Sequence, residues 1–376
     1  VSFVTLRCIK MRMKMLILVS LVAIAFVIAA GCTTGPVEPG PGEPETIKVG
    51  VMGPFTGDAA IYGLGAKNGA DLAFEEANLA NVEVVYEDSL CVAKDAANAI
   101  NKLIEVDGVI AVVGELCSGA TLAAAPFAED NQVVMISPGS TNPDVSNAGD
   151  YIFRTIPSDA KQGNYAAELM YGTGYRNLAL LYTNDDYGAG LSSVLGPAFE
   201  ELGGNVVADE SFERGSVDMR TQITKIKDAA PDAIFITSNS PDANVAVISQ
   251  IAELGVDAQL YGSEGLMGPE VPGLGEPSEG MIITSVSAGT PEFVEMYRAK
   301  FGEDPGPFAA QGYDAAMVII LAIEDGATTG EEIKDALYEI EFEGATGTVS
   351  FDENGDILGG YVPKQVINGE FVEITG

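Results

Sequence analysis

The chain has 376 residues, enough for two ordinary domains or one large one. Asp and Glu number 55 against 19 Lys and Arg, and the formal charge of -36 repels phosphate backbones, which argues against a nucleic-acid partner. Histidine is absent, which removes the Ser-His-Asp arrangement, the commonest general base and every histidine-containing metal site.

Arg7, Lys10, Arg12 and Lys14 precede MLILVSLVAIAFVIAAGC, a basic flank and an apolar run with the shape of a secretory signal. The run is short for a bilayer-crossing helix, which needs about 20 residues. Ala29, Ala30 and Gly31 suit a peptidase groove, and Cys32 follows at once. This resembles a lipoprotein lipobox, in which the cysteine is diacylated and becomes the new N-terminus; an uncleaved anchor is the other reading. Residues 1–31 are expected to be a signal peptide, and 32–45 a lipidated N-terminus with a flexible Thr-, Gly-, Pro- and Glu-rich spacer. Both readings put the folded part outside the cytoplasmic membrane, joined to it by the N-terminal lipid or anchor.

From Thr46 one unit repeats. IKVGVM, VEVVYED, GVIAVVG and QVVMISP are predicted strands; GLGAKNGADLAFEEAN, AKDAANAINKLIEV and LAAAPFAED are predicted helices between them. After YIFRTIPSD the pattern restarts with KQGNYAAELMYGTG as a helix. Strands NLALLYTN, VVADESF, DAIFITSN and AQLYGSE then alternate with helices GLSSVLGPAFEELG, MRTQITKIKDAA and NVAVISQIAELG. Strands apolar almost throughout, separated by helices, mark parallel sheets covered on both faces. GMIITSV is a further strand, followed by helices PEFVEMYRAKFG, AAQGYDAAMVIILAIED and EEIKDALYEI. The closing TGTVSFDENGDILGGYVPKQVINGEFVEI, with its Asn-Gly turns, reads as antiparallel strands.

The expected fold is α/β and two-lobed, each lobe a parallel sheet flanked by helices, with a ligand cleft between them. Lobe 1 takes 46–155 and 284–345, lobe 2 takes 156–283 and 346–376, and the chain crosses near 155, 285 and 345. One cleft between two lobes needs no second subunit, so a monomer is expected.

Cys91 and Cys117 each follow a strand and lie at the same sheet edge, where a disulfide is the default outside the cytoplasm. A redox or nucleophilic role for Cys117 is the alternative, although no CxxC accompanies it. Ser118 stands at the mouth of a helix, either as its N-cap or as a hydroxyl beside free N–H groups suited to a carboxylate. SPGSTNP repeats the idea with Ser140 and Thr141, and Gly139 permits close backbone approach. Tyr62 and Glu264 each read as either packing or ligand contact. Asp185 and Asp186 read as helix caps, Arg154 as an ion-pair or hinge residue, and DENGD as an ordinary turn. Neither a cofactor nor a metal site is indicated.

The sequence resembles the substrate-binding lipoproteins of ABC transporters for branched-chain amino acids, the leucine/isoleucine/valine type with the periplasmic-binding-protein-like class I fold. IKVGVMGPFTGDAAIYGLGAKNGADLAFEEAN, VYEDSLC, AVVGELCSGAT, VVMISPGSTNP, YIFRTIPSD, LLYTNDDYGAGL and LYGSEG carry the likeness, in order, from Ile47 onward. The resemblance implies a Cys91–Cys117 disulfide, and Ser118 and Thr141 holding an α-carboxylate with help from Gly139 and Ser140. It further implies Tyr62 and Tyr187 lining the cleft, and Glu264 receiving an α-ammonium. A zwitterion needs donors at one end and a carboxylate at the other, because burying either charge unpaired is costly.

Two positions depart from the leucine-type pattern. TSNSPD places Asn239, with Ser240 beside it, where an aromatic residue is usual, and Gly139-Ser140 stands where a small pair precedes threonine. Both changes add polarity or room. The expected function is an extracytoplasmic substrate-binding protein of an ABC importer, taking a neutral, branched-chain or related L-amino acid and docking on permease subunits. A sensory receptor of the same fold for an amino acid, amide or small carboxylate is the rival. A carboxylate-based hydrolase is the third class, disfavoured because the strand ends offer hydroxyls and tyrosines with a single apt glutamate.

Overall fold

The computed structural model describes residues 46–374; the signal peptide, the Cys32 lipidation and the spacer expected from sequence lie outside the described residues. Strands β1 (Ile47–Gly53), β2 (Val82–Asp88), β3 (Ala111–Val113), β4 (Val134–Ser137) and β5 (Ile152–Arg154) form one parallel sheet in the order β2-β1-β3-β4-β5. Alternate residues of one strand feed opposite faces, as strand periodicity requires. Val134 and Ile136 join the core on one side of β4, and Met135 joins the core on the other. Helices α1 (Ala60–Ala77), α2 (Ala93–Lys102) and α3 (Ser118–Asp130) connect these strands.

The second lobe repeats the plan. Strands β6 (Asn177–Thr183), β7 (Asn205–Phe212), β8 (Ala233–Thr237), β9 (Gln259–Gly262) and β10 (Ile282–Ser285) pair in parallel, in the order β10-β9-β8-β6-β7. They alternate with helices α4 (Asp159–Gly172), α5 (Asp186–Glu201), α6 (Arg220–Ala229) and α7 (Pro241–Glu253). Ile234 and Ile236 face one core and Ala233 and Phe235 the other.

Helices α8 (Pro291–Phe301), α9 (Ala309–Glu324) and α10 (Gly330–Glu339) return to the first lobe, where Phe293, Ile319 and Ile333 share a core with Val49 and Ile136. Helix α10 starts on a capping box in which Thr329 and Glu332 satisfy each other's backbone N–H groups. Glycines of α1 and α9 have a packing reason: a Cβ at Gly69 of α1 would collide with the Ala309 carbonyl oxygen, and one at Gly312 of α9 with that of Ala66. Their absence lets α1 and α9 lie backbone against backbone. The chain ends on the antiparallel strands β13 (Val362–Ile367) and β14 (Glu370–Glu373), which extend the second sheet beyond β10. Asn368 and Gly369 join them with φ of 53° and 78°, the left-handed pair that an Asn-Gly hairpin signal demands.

Two expectations change. Within YIFR, Ile152–Arg154 form a strand, β5, which closes the first sheet beside β4. The last crossing between lobes lies after Ile357, beyond the position near 345 expected from sequence. The hairpin of β11 (Phe342–Gly344) and β12 (Gly347–Val349) is held to α9 by Asp314, whose carboxylate accepts the N–H groups of Ala345 and Thr346. Val349, Phe351 and Ile357 then bury themselves in the first lobe's core. The three crossing segments meet in one cluster of Ile156, Val286 and Tyr361, and the Tyr361 hydroxyl donates to the Pro157 carbonyl at 2.7 Å. DENGD is a turn: Asp352 accepts the N–H groups of Asn354 and Asp356.

Cys91 and Cys117 are bonded, with Cα atoms 5.5 Å apart and a sequence separation of 26. A loop of that size implies a stabilisation of about 2 to 3 kcal/mol, allowing for the shortfall of real bridges from the chain-entropy model. The Cys91→Ser/Cys117→Ser double variant should therefore lose about that much stability and unfold at a lower urea midpoint. An unchanged midpoint would remove the bridge as a source of stability.

Candidate functional site

The cleft between lobes is walled by the C-terminal ends of both sheets. On the first-lobe side Cys117, in extended conformation, is the N-cap of α3, so Ser118 is its first helical residue rather than its cap. The Ser118 hydroxyl accepts a hydrogen bond from the Asn142 N–H at 3.3 Å. It stands beside the opening N–H groups of α3, which have no carbonyl one turn earlier to bond. Gly139 packs close under Leu116, where a Cβ would crowd the Leu116 side chain.

Tyr62 comes from the first turn of α1, which begins earlier than the sequence pattern indicates. Its hydroxyl crosses the cleft to donate to the Gly265 carbonyl at 2.8 Å. From the second lobe, Tyr187 sits in the first turn of α5, which Asp185 caps by accepting the Gly188 N–H at 2.9 Å. The Tyr187 hydroxyl donates to Glu264 Oε1 at 2.7 Å and lies 2.8 Å from Ser263 Oγ. Tyr62, Ser118, Gly139, Tyr187, Asn239 and Glu264 thus line one small cavity between the lobes. Ser140 and Thr141 do not line it. The Ser140 hydroxyl lies 2.6 Å from Thr121 Oγ1, its N–H donates to Ser137 Oγ, and its carbonyl accepts from Arg154. The Thr141 hydroxyl donates to Asp159 Oδ2 at 2.9 Å.

Sequence reasoning missed Asp159 and Gln162. Gln162, one turn into α4, donates to Glu264 Oε2 at 2.6 Å and is itself held 2.9 Å from Thr284 Oγ1. Asp159 is fully buried, and its Oδ1 has no hydrogen-bond partner. Burial lifts the Asp159 carboxyl well above its usual range, and the neighbouring Glu264 charge lifts it further. Burial also raises Glu264, although the hydrogen bonds from Tyr187 and Gln162 oppose the shift. Two buried acids therefore lie close together beside this pocket, and among the described residues Glu264 is met only by neutral donors. Such a pocket favours an incoming cation that supplies the missing positive charge. The only signal in the sequence was PSDAKQG, which reads locally as a capped helix start.

Arg154 braces the first-lobe wall. It is fully buried, its Nη1 donates to the Asn142 carbonyl at 2.9 Å, and its Nε and Nη2 grip the Asp356 carboxylate. Two contacts tie the lobes near the mouth: Arg214 Nη1 donates to the Cys91 carbonyl at 3.2 Å, and Asn142 Nδ2 to the Asp186 carbonyl at 2.5 Å.

Glu115 is a further buried acid, bonded to Ser89 Oγ at 2.5 Å and to the Cys117 N–H, and burial pushes it up to about 7. Burial also pushes Asp314 up to about 6. These groups bind a proton more tightly folded than unfolded, where a carboxyl titrates near about 4. Their contribution to stability is thus fully present below about 4 and is lost as pH rises through about 6 to 7. At constant ionic strength, the unfolding temperature should be higher at pH 5.5 than at pH 8 by a few degrees. The reverse order would show that these acids are not held in such surroundings.

Among the described residues no helix is long and apolar enough to cross a membrane. A family model described as periplasmic binding protein matches residues 46–363. The leucine-, isoleucine-, valine-, threonine-, and alanine-binding protein of Pseudomonas aeruginosa is 32% identical over 329 residues, covering 83% of this chain and 87% of that one. A leucine binding protein from Thermotoga maritima has a TM-score of 0.83 at 32% identity, over 88% of this chain and 98% of its own. The branched-chain amino acid transporter substrate binding protein of Streptococcus pneumoniae, solved with isoleucine, has a TM-score of 0.78 at 30% identity, over 88% of this chain and all of its own (100%). With the fold and the cleft already in place, these likenesses settle the family: the chain belongs to the periplasmic binding proteins, as an extracytoplasmic, non-catalytic substrate-binding protein of the ABC importers of branched-chain amino acid type.

Proposed function

We propose that the protein closes its two lobes on a neutral L-α-amino acid, of the branched-chain class or related to it, and delivers it to the permease subunits of an ABC importer. The observation that carries this reading is the buried Glu264, which lines one cavity with Ser118 at a helix start and has the buried Asp159 close by. In this reading Ser118 and the opening N–H groups of α3 take the α-carboxylate, backed by the loop of Gly139, Ser140 and Thr141. Glu264, aligned by Tyr187 and Gln162, takes the α-ammonium, with Asp159 adding negative charge. Tyr62 and Asn239 flank the ligand side chain. Closure excludes water and strengthens each of these polar contacts. The ligands for which the Pseudomonas aeruginosa relative is named, leucine, isoleucine, valine, threonine and alanine, support the class.

The basic flank, the apolar run and the Ala29-Ala30-Gly31-Cys32 sequence support attachment through a diacylated Cys32. Cross-linking in native membranes, followed by mass spectrometry, is expected to recover permease subunits together with a lipid-modified Cys32 peptide. Recovery of a histidine kinase or chemoreceptor in place of a permease would replace transport by sensing.

A further inference from the structure

We propose that the side-chain end of the cleft is built to hydrogen-bond its ligand, so that the protein selects a hydroxyl- or carboxamide-bearing α-amino acid over the aliphatic one of the same shape, with Asn239 reading the difference. The inference rests on the reading that an α-amino acid occupies the cleft. Four buried polar atoms without a partner among the described residues fall in the run 238–244: Ser238 Oγ, Asn239 Oδ1, Ser240 Oγ and Asn244 Oδ1. The run leads from the residue after β8 into the first turn of α7. Ser240 is the N-cap of α7, yet its hydroxyl makes no capping bond. The Asn244 amide nitrogen is engaged by the Gly265 carbonyl at 3.2 Å and Glu270 Oε1 at 3.1 Å, which leaves its oxygen over.

The run adjoins the site. Asn239 shares the cavity of Tyr62, Ser118, Tyr187 and Glu264. The Ser238 carbonyl lies so close to Gly265 that a Cβ there would collide with it, and that Cβ would lie 3.1 Å from the Tyr187 hydroxyl. Of the four, Asn239 lines this cavity, and an aliphatic ligand side chain would leave its Oδ1 with nothing to bond. A ligand O–H or N–H would satisfy it. Asn239 Oδ1 and Asn244 Oδ1 only accept hydrogen bonds, the two serine hydroxyls accept or donate, and Glu264 and Glu270 stand nearby, so the chemistry favours a neutral donor over an acidic side chain.

The test is calorimetry on the full protein, freed of ligand by unfolding and refolding, with two isosteric pairs: threonine against valine, and asparagine against leucine. Each polar member is expected to bind about tenfold tighter, or more, than its aliphatic twin, because a site built to bond a polar group rejects the analogue that lacks it. Asn239→Leu should lower the asparagine-to-leucine ratio at least about tenfold, with the variant's unfolding temperature recorded alongside. Valine and leucine binding as tightly as their polar twins would overturn the inference and leave the α-amino acid reading standing. An unchanged ratio in a folded Asn239→Leu variant would overturn the role of Asn239. If none of the four binds, the underlying reading fails and the inference fails with it.

Discussion

Glu264→Gln is expected to bind the protein's best amino acid about 3 to 4 kcal/mol more weakly than the parent, roughly 150- to 900-fold. The amide keeps the shape of the carboxylate and can accept from Gln162 through its oxygen, with its N–H donating to a Tyr187 hydroxyl turned toward Ser263 Oγ, while the attraction for the ammonium is lost. The unliganded variant should melt no lower than the parent. Burial raises the Glu264 carboxyl in the fold, so its ionised form already opposes folding at neutral pH, and the neutral amide removes that cost. For the same reason parent affinity should fall as pH drops through the raised range, because a protonated Glu264 must release its proton to accept an ammonium. Titration of parent and variant with the amino acid and its deaminated analogue checks the assignment. Equal affinity of the variant for the amino acid would remove Glu264 from the ammonium subsite.

Arg154→Met is expected to cost about 3 to 5 kcal/mol of stability, the usual penalty for stranding one member of a buried ion pair. Arg154 is fully buried, and its loss leaves Asp356 without its cation and the Ser140 and Asn142 carbonyls without their donor. Those carbonyls belong to the loop behind Ser118, so ligand affinity should fall along with stability. The Arg154→Met/Asp356→Leu double variant should recover part of the stability, since two apolar groups leave no stranded charge. Urea denaturation of the three proteins reads the coupling. A single variant as stable as the parent would show that the pair is dispensable.

The sheets were legible in sequence because their strands are buried on both faces and so read as unbroken apolar runs, as in IKVGVMG and DAIFIT. β5 was not, because three residues are too few to show a strand's pattern and its register comes only from pairing with β4. The last crossing was misplaced for a similar reason. Val349, Phe351 and Ile357 look like strand residues in any sheet, and Asp314, far away in the chain, assigns them to the first lobe.

Within the site, Ser118, Tyr187 and Glu264 follow strands and could be found as polar groups at sheet edges. Asp159 and Gln162 could not. A Ser-Asp pair opening a helix, with Gln three residues on, looks like ordinary capping, and only the fold turns those side chains toward Glu264. Ser140 and Thr141 mark the opposite limit. Their hydroxyls suit a carboxylate, but tertiary contacts with Thr121 and Asp159 engage them.

In the proposed complex the cleft holds an L-α-amino acid by both of its charged ends. The decisive measurement is calorimetry on refolded, ligand-free protein with the tightest of the twenty amino acids, its D-isomer and its deaminated acid. One saturable site is expected for the L-isomer, with binding at least about 100-fold weaker for the other two, since each lacks the ammonium or misplaces it. Equal binding of the deaminated acid, or no saturable heat from any L-amino acid, would contradict it.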